Sequence, residues 1–505
     1  MTHEAARRLT FPRLTFPRLW VALALLLPIL AALLATMSAV DLAYHVRAGG
    51  LILDQGTVLR TDPFAFTTGG GAWLDQQWGA QVLLAMGYRA GGWAFLAIAR
   101  AVLVALVIGL VFSACRRQGS GLRVAAWFAL AAFAMAAAAM GLRPQLFGMV
   151  LFAATLALLA GRRTGSGRMR WTVWLIPVLV VPWASLHGSF IFAPVAVWAA
   201  WLEDVLAGRP GAHRLLGVAA LAALASLLNP FGVGVWSYAI GVSTSSTIRR
   251  LITEWQPTAP LSASGLVLYG SMLVFGLLIV VHVRRIPAGG RSPATWRRLL
   301  APVLWLVFLG VVAASAERGI AWWALAAPVA VAGILGSGVG AAPVAADAAP
   351  ARPERASVLN GAIVIVLILV GLILLPTWRG GTPLQGPAGL LTDAPAGITA
   401  ALTGRVSPTD RIWNAQRWGS WLEFALPGVP IAVDSRIEVI PSSAWDDHLA
   451  LSSGSSSWSA ILDRWGVTVV VASREEQAAL IPLMTASPAW TVIQADADGV
   501  VFVRR

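Results

Sequence analysis

Apolar runs of about 20 residues, each long enough to cross a bilayer, recur along this chain from Leu19 to Pro376. Nothing in the sequence constrains the fold more. A lipid-exposed backbone must satisfy its own hydrogen bonds, so such runs are read as helices. No soluble core can bury so many all-apolar helices. Composition agrees, with 58% hydrophobic and 12% charged residues, against roughly 25% charged in soluble domains. The chain is therefore expected to be an α-helical polytopic membrane protein. Eleven spans are expected, near 19–40, 93–113, 122–140, 145–161, 171–186, 189–206, 214–229, 263–283, 299–315, 319–337 and 357–376.

The net charge of +14 comes with no lysine at all. The arginines gather in short loops between apolar runs. Arg116, Arg117, Arg162, Arg163, Arg168, Arg170, Arg284, Arg285, Arg297, Arg298 and Arg352 fall on the side of the N-terminus. The short loops on the other side hold few. Cytoplasmic loops carry such an excess, so the N-terminus is expected inside. The odd span count then puts the C-terminal region outside. No basic module interleaved with aromatics is present, which excludes a nucleic-acid partner. The single Cys115 excludes an intrachain disulfide. Arg7, Arg8, Arg13 and Arg18 precede the first run. That run is longer than the about 7–15 residues of a signal-peptide core. It reads as an uncleaved span behind a cytoplasmic tail over 1–18.

Three segments break the apolar pattern within the 19–376 region or after it: loops over 41–92 and 229–262, and the tail over 377–505. A segment over 338–357, rich in Ala, Pro and Gly, reads as a flexible linker. The tail alternates strand-like pieces (411–415, 430–434, 467–472, 490–494, 500–504) with helix-like ones (396–402, 458–465, 474–485). The last two strands flank a Gly-containing turn and read as a hairpin. The tail is expected to be a small extracytoplasmic α/β domain.

Ionisable residues at membrane helix ends are the first functional suspects. The loop over 41–92 is richest in them. Asp41 and His45, four apart, share one helical face. At the mouth of a bundle such a pair suits general-base work or cation binding. It equally suits an interfacial cap beside a satisfied histidine. Asp62, Asp75 and Trp78 follow in the same loop. Asp62 precedes Pro63, which is also a turn signal. Arg143, Arg249, Arg250 and Arg318 stand at expected outer positions, where they can hold a phosphate bidentately or anchor at the interface. His187 ends a span before Gly188. Glu254 and Trp255 lie in the second loop, whose mixed polar and aromatic character fits a re-entrant lid. In the tail, Asp446, Asp447 and His448 suggest a metal or sugar contact, or a helix N-terminus. No phosphate-binding loop, dinucleotide fingerprint or zinc spacing is present.

The run from Asp41 to Gln81 resembles the first outer loop of bacterial membrane proteins of the GT-C glycosyltransferase superfamily. The similarity extends through Leu142-Arg143-Pro144, His187-Gly188, Leu228-Asn229-Pro230-Phe231-Gly232 and Glu254-Trp255-Gln256-Pro257. In the tail it includes Trp413-Asn414, Trp418-Gly419, Val433-Asp434-Ser435-Arg436 and Arg464-Trp465-Gly466-Val467. Each motif is short, and the specificity lies in their order along most of the chain.

The resemblance implies a transferase in the cell membrane. It would move a sugar from a polyprenyl-phosphate donor to a cell-envelope glycan, lipid or protein acceptor. It implies Asp41 as the base, His45 as its neighbour and outer arginines as the phosphate clamp. Two features depart from the superfamily pattern. Asp41 has no acidic neighbour, and Gln77 stands where the branch often has Glu. These leave the need for a divalent cation open. The rival expectation is a non-enzymatic transporter or scaffold with the same fold. A transporter should show mid-span charges and internal repeats, and neither is visible.

Overall fold

Membrane-length helices follow from the apolar runs, and their ends follow from polar residues. The computed structural model describes residues 12–162, 171–336 and 355–505. The linker expected over 338–357 lies outside these apart from residues 355–357. So do Arg7, Arg8, Arg163, Arg168, Arg170 and Arg352. Among the described residues, eight helices are long and apolar enough to cross a bilayer. Three shorter apolar helices, Thr172–Leu186, Arg214–Ala225 and Val358–Ile373, stand at the remaining expected positions. The helix ending at Leu335 sits at the centre of the bundle, with 83% of its apolar window buried. Ala263–Arg284 lies at the edge, where only 11% is buried and apolar side chains such as Leu273 face outward. Helices apolar all round suit both places.

The first span is shorter than expected. Its helix, Phe16–Leu34, stops because the buried Arg100 of a neighbouring helix donates to the carbonyls of Ala32, Ala35 and Thr36. Those are end-of-helix acceptors that need partners. Met37–Ser38 then pairs in parallel with Leu391–Thr392 of the tail. The Ser38 hydroxyl accepts from the Val40 amide and caps a new helix, Ala39–Gln55, with Asp41 in its first turn. A carboxylate is favoured there by the helix dipole. Asp41 therefore does not end the first span, as the sequence suggested. It starts a separate helix that runs beside the bundle.

That helix packs on the first part of Trp78–Arg117, which is kinked at Gly91 and Gly92. Gly92 has a φ of 62°, a conformation that favours glycine. Gly49 sets the packing distance, since a Cβ there would lie 2.0 Å from the Gln81 carbonyl oxygen.

The tail forms a four-stranded sheet in the order Ile412–Asn414, Val469–Ser473, Gly499–Arg504, Trp490–Ala495. The first pair is parallel and the others are antiparallel. The expected hairpin is the last pair. Two expectations fail here. The helix expected over 474–485 begins only at Leu480. Residues 430–434 form no strand. Pro430 has no N–H to give a ladder, and Ile431 instead bridges Ile412 of the sheet to Ala65 of the first loop. The Ile431 carbonyl accepts from the Phe66 amide at 2.9 Å, and its amide donates to the Phe64 carbonyl at 3.1 Å.

The first loop is thus part of the tail domain's framework. The buried Arg436 fixes this junction. Its guanidinium pairs with Asp434 and lies 2.8 Å from Asp62. It also stacks over Trp73 at 4.7 Å and Phe64 at 5.0 Å. The Gly419–Ala425 helix packs directly on Ala39–Gln55, so the domain rests on the helix that carries Asp41.

Candidate active site

A cavity of about 940 Å³ opens between the bundle and the tail domain. Each wall comes from a polar break in the apolar pattern. The Ala39–Gln55 helix contributes Asp41, Tyr44 and His45. Arg143 precedes Pro144, which holds it extended at φ −137° and ψ 163°. This places its side chain at the mouth of the Pro144–Gly161 helix. His187 is likewise extended between two helical segments, and its Nδ1 accepts from the Ser189 amide at 3.1 Å. The second loop adds Tyr238, Arg249, Glu254 and Trp255, and Arg318 enters from the turn before the central helix.

A chain of charges runs along one wall. Arg143 Nη1 lies 3.1 Å from Asp41 Oδ2, and Arg143 Nη2 lies 3.1 Å from Glu254 Oε1. Arg318 Nε comes within 3.4 Å of the other Glu254 oxygen, close enough for an ion pair but without hydrogen-bond geometry. Its guanidinium stacks over Trp255 at 5.2 Å. Burial alone would raise the Asp41 pKa. The attraction of Arg143, helped by Arg318, outweighs it and holds Asp41 below the usual carboxylate value. Burial pushes His45 down to about 3, so it is neutral at pH 7. Its Nδ1 is buried without a partner.

The expected site residues divide in two. Asp41, His45, Arg143, His187, Arg249, Glu254 and Arg318 come together on the cavity wall. Asp62, Asp75, Trp78 and Arg250 do not line it. Asp62 is buried against Arg436 and accepts from the amides of Phe64 and Ala65, the turn-capping alternative. Asp75 is buried behind the wall and accepts from Gln81 Nε2 at 2.7 Å. Trp78 packs in the small core of the first loop. Arg250 turns outward to an exposed ion pair with Asp446 at 3.0 Å. Asp447 accepts from the Trp465 indole at 2.8 Å and pairs with Arg464, so the adjacent Asp446 and Asp447 serve different partners.

Sequence reasoning missed Tyr44, Gln76, Tyr238 and Glu438, which also line the cavity. Tyr238 donates to Glu438 at 2.8 Å across the gap between the second loop and the tail domain. Nothing in the sequence joins residues 200 positions apart.

Among the described residues, no three His, Cys, Asp or Glu side chains gather as a metal site requires. The Asp41 and Glu254 carboxylates are engaged by one guanidinium, that of Arg143.

Asp75 carries a stability prediction. Burial pushes its pKa up from 3.8 to about 8. Asp75 Oδ2 and Gln81 Oε1 are both buried acceptors without donors, and a proton on Asp75 supplies one. The fold keeps this proton at neutral pH while the unfolded chain loses it above about pH 4. Stability is therefore lost as pH rises from about 4 to 8. Asp75→Asn mimics the protonated form. It is expected to raise the melting temperature above pH 7 and to flatten its pH dependence. A variant that melts lower at every pH would contradict this.

No protein-family model and no curated protein matches the sequence. Solved structures do. The oligosaccharyltransferase of Archaeoglobus fulgidus, tethered with an acceptor peptide, superposes with a TM-score of 0.55 at 14% identity, over 96% of this chain and 74% of that one. The ArnT protein of Cupriavidus metallidurans, bound to undecaprenyl phosphate, gives 0.52 at 17% identity, over 96% of this chain and 97% of its own. The mycobacterial arabinofuranosyltransferase AftD gives 0.56 at 17% identity, over 98% of this chain and 40% of its own. At 14–17% identity these likenesses show that the chain shares its fold with the oligosaccharyltransferase, ArnT and AftD.

Proposed function

We propose that the chain is a membrane glycosyltransferase that takes a sugar from a polyprenyl-phosphate donor and passes it to a cell-envelope acceptor at the outer face of the plasma membrane. In this reading the N-terminus is cytoplasmic and the domain over 377–505 is extracytoplasmic. The observation that carries the proposal is the cavity between bundle and domain, with an ionised Asp41 beside Arg143 and Arg318. The similarity to ArnT, solved with undecaprenyl phosphate, and to an oligosaccharyltransferase solved with an acceptor peptide supports it at the level of fold.

The chemistry follows from the charges. An acceptor hydroxyl attacks the anomeric carbon from the face opposite the phosphate. A new glycosidic bond forms, and the bond from anomeric carbon to phosphate oxygen breaks with inversion. The lipid phosphate leaves with the electron pair, and Asp41 takes the hydroxyl proton. Arg143 and Arg318 stabilise the charge that develops on the leaving phosphate. Arg143 has a second effect. While it pairs with Asp41, the carboxylate is a weak base. A donor phosphate that draws Arg143 away removes that pairing, raises the Asp41 pKa and improves it as a proton acceptor.

Native mass spectrometry of the purified protein tests donor recognition. Undecaprenyl phosphate is expected to bind, and Arg318→Ala to weaken it by about tenfold or more. Failure of the wild-type protein to bind any polyprenyl phosphate would favour a non-enzymatic scaffold.

A further inference from the structure

Folded proteins pair nearly all of their buried polar groups. The Ser442–Ser452 helix breaks this rule on one face. Trp445, His448 and Ser452 stand at i, i+3 and i+7, the spacing that puts three side chains on one side of a helix. All three line the cavity. Trp445 Nε1, His448 Nδ1 and Ser452 Oγ are all buried without a hydrogen-bond partner. Trp445 is 2% exposed and His448 is 5% exposed, and neither polar atom meets a donor or acceptor within the protein.

The two ends of the cavity differ in charge. Arg143 and Arg318 stand at the bundle end, and Arg249 enters from the second loop. At the domain end the wall carries Glu438 and Glu476, while the nearby Arg436 is spent on Asp434 and Asp62. Carboxylates repel a phosphate. An indole N–H, an imidazole nitrogen and a hydroxyl on one helix face suit a ligand rich in hydroxyl groups, which both donate and accept. Trp445 and His448 pack edge to face at 5.8 Å, which fixes the orientation of their polar groups.

We infer that the Trp445, His448 and Ser452 face is a binding subsite for an uncharged sugar ring. It rests on the transferase reading only for the ring's role as a substrate. The sugar can belong to the acceptor or to the donor, and lipid dependence separates the two.

The test is saturation-transfer NMR on the whole protein in lipid nanodiscs free of glycoside detergents. The probes are the methyl hexosides of glucose, mannose and galactose. At least one is expected to bind the wild type. Trp445→Phe and Ser452→Ala, which remove one polar group each, are expected to weaken it by roughly tenfold. Undecaprenyl phosphate binding, read on the same samples, shows that the variants are folded. Hexoside binding without lipid marks an acceptor subsite. Binding that appears only with undecaprenyl phosphate present marks the donor sugar. Absence of hexoside binding under both conditions, or binding unchanged in both variants, would overturn the inference. Asp41→Asn is expected to keep the hexoside while losing transfer, so failure of this subsite and failure of the proposed reaction are distinguishable.

Discussion

Asp41→Asn is expected to slow glycosyl transfer by on the order of a thousandfold, the usual range for loss of a general base, while donor affinity stays within a few-fold of wild type. The amide keeps the size of the side chain but cannot take the acceptor proton. Arg143 retains Glu254 as a partner at 3.1 Å, so the phosphate clamp remains in place. Asp41→Ala is expected to behave alike. The measurement is transfer rate against donor concentration, with complementation of a deletion strain as the cellular counterpart. Full complementation by both variants would remove Asp41 from the mechanism.

Arg436→Ala is expected to have the largest effect on stability, a loss of about 3–5 kcal/mol, as when one partner of a buried ion pair is removed. Arg436 is fully buried, and the substitution strands Asp434 and Asp62 without a counter-charge. Both Asp62 and Arg436 sit where the first loop meets the tail domain. The domain should therefore loosen from the bundle before the bundle itself unfolds. Limited proteolysis over 377–505 together with thermal melting reads this directly. Removing the charges as well, in Arg436→Met with Asp62→Asn and Asp434→Asn, is expected to recover part of the loss. A triple variant less stable than Arg436→Ala would show that the ion cluster is not the cause.

The bundle was legible in the sequence because lipid demands long apolar runs: eight of the eleven expected spans fall on helices of membrane length and three on shorter apolar helices. The tail was legible where strands alternate, as over 490–504, and illegible over 430–434. There a segment that looks like a strand serves the first loop instead. The same junction accounts for Asp62. The turn signal before Pro63 was legible and the cap is present, but its partner Arg436 is 374 positions away. Several motifs that carried the family resemblance are of this structural kind. Arg60 donates to the Pro230 carbonyl at 3.1 Å and stacks over Phe231, joining the two loops. Asn414 is buried and bonds the Val433 carbonyl at 2.7 Å. Asp41, Arg143, Glu254 and Arg318 were singled out separately as candidates. That they form one chain of charges is a fact of tertiary packing that no local pattern carries.

The central claim is that the cavity beside Asp41 receives a lipid-linked phosphate. A cryo-EM structure of the protein in nanodiscs with undecaprenyl phosphate tests it most directly. Phosphate density is expected within hydrogen-bond reach of Arg143 or Arg318, with Arg143 drawn away from Asp41. Phosphate density at another place on the molecule, with the Asp41–Arg143 pair intact and the cavity empty at saturating lipid, would contradict it.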